Sequence, residues 1–205
     1  METARKGLLI VISGPAGSGK GTVTQMLKDS GEYAVSVSAT TRSPRPGEIN
    51  GVSYHFLTHE QFRTRLDEGG MLEYNEYCGH FYGTPRKEAE DILARGIHLI
   101  LEIDVNGALQ IKKKYPDAVL IMLLSPSFSV QEQRLRGRGT EAAEDVRRRL
   151  DQTRVELSHL LEYDYVVYNR AGAADACADD IRAIVRAEQC SLRRNADAHT
   201  AYFSS

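Results

Sequence analysis

Cysteine is scarce in this chain, with three in 205 residues: Cys78, Cys177 and Cys190. An odd number at wide spacing forms neither zinc-ligand pairs nor a disulfide framework, and it points to a reducing compartment. Long apolar runs are missing as well. The first run, residues 8–12, is too short for a signal-peptide core or a membrane span, so no membrane partner is expected and the location follows as cytoplasmic. Net charge is small, with 26 Lys and Arg against 28 Asp and Glu. That balance gives no reason to expect a nucleic-acid partner, so any anion site has to be local. Neither repeats nor low-complexity stretches interrupt the sequence. Its length suits one α/β domain with insertions.

What the chain does have stands near its start. The apolar run 8–12 leads into Gly14-Pro15-Ala16-Gly17-Ser18-Gly19-Lys20-Gly21-Thr22. Glycines let successive backbone N–H groups turn inward as a nest for anions. Residues 20–28 read as a helix whose positive end faces the same phosphates. Lys20 would reach the β- and γ-phosphates of a nucleoside triphosphate. One position departs from the common phosphate-loop pattern. Gly21 stands where Ser or Thr supplies a magnesium ligand, and Thr22 follows it as a partial substitute.

Further apolar runs at 98–103, 118–124 and 164–168 read as buried strands, with a less regular one at 33–38. Strands alternating with helices predict a parallel sheet covered on both faces. Ligands then bind beyond the carboxyl ends of the strands, where the loop, Asp104 and Asn169 should meet. Two stretches break the rhythm. Residues 39–86 are rich in Gly and Pro and hold Tyr54, Tyr74, Tyr77 and Tyr82, suiting small inserted strands and a helix near 60–68. Residues 125–161 read as helical and carry six arginines between Arg134 and Arg149. A final amphipathic helix is expected from 174 to about 194, followed by a polar tail, 195–205, that should fray.

Arg42 and Arg45 lie three apart in a turn fixed by Pro44 and Pro46. Both guanidinium forks can converge there on one phosphate monoester, with Tyr54 adding a phenol donor. Two arginines in a loop are equally what a solvated surface looks like. Glu102 and Asp104, two apart at the end of a strand, should share a face. Glu102 in an otherwise apolar strand is costly to bury unpaired, which argues for a functional role.

Taken in order, the loop at 14–22, the Ala-Thr-Thr-Arg-Ser-Pro-Arg-Pro-Gly-Glu core of 38–54, and the segments 71–84, 101–107 and 134–149 resemble the guanylate kinase family. The resemblance spans about residues 7–190. It implies a three-layer P-loop kinase fold of the α/β class, with a central parallel five-stranded sheet, an inserted mixed GMP-binding subdomain and a helical lid. The implied division is a core of 1–37, 87–125 and 162–194, a GMP-binding subdomain of 38–86, a lid of 126–161 and a tail of 195–205. It implies transfer of the γ-phosphoryl group of MgATP to GMP, in purine nucleotide metabolism. Carried over by residue, Arg42, Arg45, Tyr54 and Tyr82 hold the GMP phosphate, while Ser38, Glu73, Gly83, Thr84 and Asp104 surround guanine. The chemistry agrees: carboxylates accept from N1–H and N2–H₂, and hydroxyls donate to O6. Adenine offers no such donors, so this set rejects it.

The same resemblance places Lys20, Arg134, Arg138 and Arg149 on the transferring phosphoryl group; Gly137 and Gly139 argue against one helix carrying both lid arginines, so Arg138 is expected in a loop or cap and Arg149 on a helix. Thr140 gives a weak helix-start signal, and Arg136, Arg147 and Arg148 read as solvated lid surface. Asn169 falls near the adenine of ATP, although Asn also suits a turn. Mg²⁺ is the implied cofactor, with Thr22 and Glu102 as ligands, directly or through water. A homodimer is admitted. The family's Asp-x-Gln-Gly pattern reads Asp104-Val105-Asn106-Gly107 here. Two rivals stand beside this reading: a kinase for another nucleoside monophosphate, and a guanylate-kinase-like protein-interaction module. The guanine set opposes the first, and the intact phosphate loop opposes the second.

Overall fold

A computed structural model describes residues 6–137, 143–196 and 198–203. Five parallel strands form the central sheet in the order β2-β7-β1-β8-β9. They are β1 (Leu9–Ser13), β2 (Tyr33–Val35), β7 (His98–Glu102), β8 (Val119–Leu124) and β9 (Tyr165–Tyr168). Strand β1 lies in the middle, buried along its whole length, as its uninterrupted apolar run requires. Its side chains alternate between two cores. Ile10 and Ile12 join Val23 and Leu27 of α1 (Lys20–Asp29) and Ile181 and Val185 of α7 (Ala174–Gln189). Leu9 and Val11 face the other way, onto Leu93 of α3 (Arg86–Ala94) and Ala108 and Ile111 of α4 (Val105–Lys114). The result is three layers.

A second, mixed sheet in the order β4-β3-β6-β5 is built from β3 (Ala39–Thr40), β4 (His55–Phe56), β5 (Met71–Tyr77) and β6 (His80–Pro85). Helix α2 (His59–Asp67) covers it, started by a reciprocal capping box between Thr58 and Gln61. Phe62 of that helix is fully buried and stacks on Phe81 at 5.4 Å between ring centroids. Helices α5 (Phe128–Gly137) and α6 (Ala143–Leu157) pack together through Leu135, Val146 and Leu150, and Ala16 of the glycine-rich loop joins that cluster.

The expected elements are present, with three changes. Strand β2 stops at Val35 rather than 38. The Ser36 N–H still reaches Ile100 O, and the chain then turns away to supply β3 to the second sheet. Helix α7 ends at Gln189 rather than near 194, because Arg194 folds back to donate to Glu188 at 2.9 Å and to Asp117 O at 2.6 Å. The tail, expected to fray, forms a short helix α8 (Ala198–Phe203). Thr140 lies outside the described residues.

Candidate active site

The loop between β1 and α1 sits at the carboxyl end of the central strand and is held by side chains gripping its carbonyl groups. Lys20 Nζ folds back over the loop and donates to Gly14 O at 2.6 Å. Gln131 of α5, nearly fully buried, donates to Ala16 O at 2.9 Å and to Thr153 at 2.7 Å. Asn169, just past β9, donates from Nδ2 to Ser18 O at 2.9 Å. Arg134 donates to Asn169 O at 2.9 Å and lies 3.4 Å from Ser18 O. With its carbonyls held in this way, the loop can turn N–H groups toward an anion, the Ser18 N–H excepted, which donates to Pro15 O at 3.2 Å. Gly19 has φ 91°, and a Cβ there would stand 2.2 Å from Asn169 Nδ2, so any other residue is strained at the helix start and displaces the brace.

Asn169 and Arg134 therefore lie against the loop backbone: the amide expected near adenine is bonded to Ser18 O, and the guanidinium expected on a phosphoryl group faces carbonyl oxygens. Arg149 lies on α6 as expected and lines the cleft, together with Arg148, read from sequence as lid surface. Arg148 is also paired with Asp145 at 2.7 Å. Arg138 lies outside the described residues.

A cleft of about 550 Å³ runs from Ala16 of the loop to the second sheet. Its walls include Ser38, Tyr54, Glu73, Tyr82, Gly83 and Asp104, with Glu102 near the loop and Arg149 on the lid side. The carboxyl ends of the strands thus gather residues that are far apart in sequence. Glu73 is 3% exposed and accepts from the buried Thr84 hydroxyl at 2.8 Å. Burial raises its pKa from 4.5 to about 7, more than the Thr84 bond lowers it, and nearby Asp104 adds to the rise. Gly107 makes room for this carboxyl group, since a Cβ there would lie 2.7 Å from Glu73 Oε2. Thr84, expected to face guanine, stands behind Glu73 instead.

Two expectations about the acidic pair are corrected. Strand β7 ends at Glu102, and Asp104 lies beyond it as the N-cap of α4, accepting from Gly107 N–H at 2.8 Å. The two carboxylates are not successive residues on one face of a strand. Glu102 is exposed rather than buried, and it accepts from Thr24 Oγ1 at 2.9 Å. Thr24, four residues after Lys20 on α1, is thus the hydroxyl beside Glu102, while Thr22 is exposed.

In the Pro-punctuated turn Glu48 is the centre. Its carboxylate takes both Arg42 terminal nitrogens at 2.9 Å and the Arg45 backbone N–H at 2.7 Å. These bonds, Arg42 first, hold Glu48 at about 2, and Glu48 in turn raises Arg42. The Arg42 guanidinium lies 5.4 Å from the Tyr54 ring centroid, and Tyr54 meets Tyr82 edge-on at 6.2 Å. The Arg45 side chain is exposed. Sequence reasoning missed Gln131, Thr24, Asn75 and Glu156. Only Thr24 had a signal, its helical spacing from Lys20. Glu156 lines the cleft with a buried Oε2 that has no hydrogen-bond partner among the described residues, and burial raises its pKa.

A parallel sheet with a braced phosphate loop at its carboxyl edge, opening onto a cleft of carboxylates and phenols, defines a P-loop enzyme of nucleotides. A sequence model described as guanylate kinase matches residues 6–188. Guanylate kinase of Streptococcus pneumoniae (strain R6) is 45% identical over 193 residues, covering 93% of this chain and 92% of that protein. That of Synechocystis (strain PCC 6803) is 48% identical over 169 residues, covering 82% and 88%. The crystal structure of guanylate kinase from Anaplasma phagocytophilum superposes with a TM-score of 0.75 at 34% identity, covering 93% of this chain and 90% of that one. The chain belongs to the guanylate kinase family.

Proposed function

We propose that the chain transfers the γ-phosphoryl group of ATP to GMP, giving ADP and GDP, with the cleft between loop and second sheet as the acceptor site. The observation that carries this reading is the meeting of Glu73 and Asp104 with Tyr54 and Tyr82 in one cleft that also reaches Ala16 and Arg149. Phosphoryl transfer between two nucleotides needs in-line alignment and offset charge rather than a covalent intermediate. Lys20 and the loop amides hold the donor. Arg42, Arg45, Tyr54 and Tyr82 hold the acceptor phosphate, and Glu48 preorganises the arginine turn. Glu73, Asp104 and Ser38 read guanine, with Thr84 orienting Glu73 from behind and Gly83 keeping the backbone close. Arg138 and Arg149 act on the transferring group when the lid closes and water leaves. Arg134 and Asn169 keep the loop in shape.

No cluster of three or more metal-binding side chains exists among the described residues. Mg²⁺ keeps most of its waters and binds through phosphates and one or two protein oxygens. Glu102, exposed and hydrogen-bonded to Thr24, together with the Thr22 hydroxyl, fits such a site, directly or through water. A magnesium ion held there would supply charge compensation for the triphosphate. On this reading the chain divides into a core of 1–37, 87–125 and 162–194, a GMP-binding subdomain of 38–86, a lid of 126–161 and a tail of 195–205. No helix among the described residues is long and apolar enough to cross a membrane. A cytoplasmic location agrees with three free cysteines.

The deciding experiment is coupled ADP release with MgATP and GMP, AMP, CMP or UMP as acceptor. Turnover with GMP should exceed the others by roughly a hundredfold or more. Preference for another monophosphate would overturn the guanine roles of Glu73 and Asp104.

A further inference from the structure

Strand β5 is an edge of the second sheet, and α4 takes the place of a further strand beside it. Lys114 Nζ donates to Leu72 O at 2.9 Å. Gln110 clamps Tyr74 at both backbone groups, donating to its O at 2.7 Å and accepting from its N–H at 3.3 Å. These side chains satisfy strand groups that no neighbouring strand meets. At the N-terminal end of the helix the row finishes in the cleft, where Asn75 Nδ2 donates to Asp104 Oδ2. The other Asp104 oxygen is held by Gly107 N–H.

We propose that Asn75 is a positioning residue for base recognition, fixing the plane of the Asp104 carboxylate toward the bound base. The proposal rests on the guanine-site reading of Asp104. Held only by its cap bond at Oδ1, the carboxylate could swing Oδ2 about its side-chain torsions. The second bond removes that freedom. A carboxylate only accepts, so the Asn75 amide must present its nitrogen. A neutral donor suits this place: a lysine ammonium would compete with guanine's own N–H groups, and an acid would repel Asp104. The Gln110 clamp on Tyr74, the residue before Asn75, sets the register that brings the amide opposite Asp104. Asn75 stands on the second sheet and Asp104 on a helix of the core, so their bond also sets the spacing between Asp104 and Glu73. All three line the cleft. In the open cleft water competes with this bond. Under a bound base it is shielded and counts for more.

The test measures KM for GMP and for ATP, with the melting temperature, in Asn75→Ala, Asp104→Asn and the double variant. Asn75→Ala should raise KM for GMP about tenfold, the scale of one hydrogen bond to a charged group, with KM for ATP and the melting temperature unmoved. The double variant should be no worse than Asp104→Asn alone, since the amide acts only through the carboxylate. If Asp104→Asn raises KM for GMP while Asn75→Ala stays within twofold, the positioning role fails and the guanine site stands. A normal KM for GMP in Asp104→Asn removes the site reading and this inference with it. Independent, multiplying effects, or a rise in both KM values with a lowered melting temperature, also overturn the role.

Discussion

The phosphate loop and the acceptor cleft are held by opposite means. Around the loop, Lys20, Gln131, Arg134 and Asn169 all point at backbone carbonyls, leaving loop shape as the recognition element. In the cleft the ties run from side chain to side chain: Thr84 to Glu73, Asn75 to Asp104, Arg42 to Glu48. A phosphate chain is the same in every nucleoside triphosphate, so a backbone nest suffices for it. A base differs from other bases only in where its donors and acceptors stand, so reading it takes oriented side chains. The loop should therefore be sensitive to added bulk and the cleft to altered polarity.

The largest effects should come from the charges proposed to act on the phosphoryl group between the two regions. Lys20→Met and Arg149→Ala should each lower kcat by roughly 10³-fold, the scale of losing one preorganised charge at a transition state. Circular dichroism should be unchanged in both, and thermal unfolding unchanged in Arg149→Ala, since Arg149 lines the cleft rather than the core, whereas Lys20→Met also loses the bond to Gly14 O. Near-normal kcat in either variant takes that residue off the catalytic list.

Next is Glu73→Gln, which on the proposed reading turns an acceptor for guanine's donors into a mixed amide. Catalytic efficiency with GMP should fall roughly a hundredfold, with KM for ATP unmoved. Stability should move the other way. The folded-state pKa is raised from 4.5 to about 7, so between those values the folded protein keeps a proton the unfolded chain has released. Wild-type stability then falls as pH rises from about 4.5 to about 7 and levels off above. The variant has no such decline and should be more stable above pH 7, by at most about 3 kcal/mol. Urea unfolding across pH checks this, and parallel curves for the two proteins would contradict the buried carboxyl. GMP binding should strengthen through pH 7 in wild type alone, beyond what titration of the GMP phosphate itself contributes to both.

Legibility in sequence followed the same divide. The loop, its strand and its helix are visible because glycines, a short uninterrupted apolar run and helix starts are local signals. Arg149 fell on a helix for the same reason. The wiring was not visible. Thr24 and Glu102 meet across 78 positions, and Asn169 and Ser18 across 151. No local pattern marks such pairs, so neither the Thr24–Glu102 bond nor the Asn169–Ser18 brace is readable from the chain alone. Asp104 reads as a strand residue because the apolar run continues to Ile103, although Asp is itself a residue that caps helix starts, as it does at α4.

A milder effect is expected from Gly19→Ala, which probes loop shape without touching charge. The left-handed φ and the close Asn169 amide should together cost about 2 kcal/mol of stability. KM for ATP should rise severalfold while KM for GMP stays put. Equal rises in both would mean that loop and cleft are not separate recognition units.

The smallest effect should come from Gly21→Ser, two positions on, and it sharpens the comparison most. A Cβ at Gly21 meets nothing within 4 Å, so neither packing nor backbone strain opposes the change. Replacing glycine inside a helix should add up to about 0.5 kcal/mol of stability. The new hydroxyl restores the usual phosphate-loop pattern and offers the metal one more oxygen. If the loop recognises the triphosphate through its backbone, as its braced carbonyls imply, kcat should change by less than about twofold, within what one exchanged water ligand contributes. Only the Mg²⁺ concentration for half-maximal activity should fall. A large change in kcat would mean that side chains at the start of α1, and not the nest alone, set the geometry of transfer.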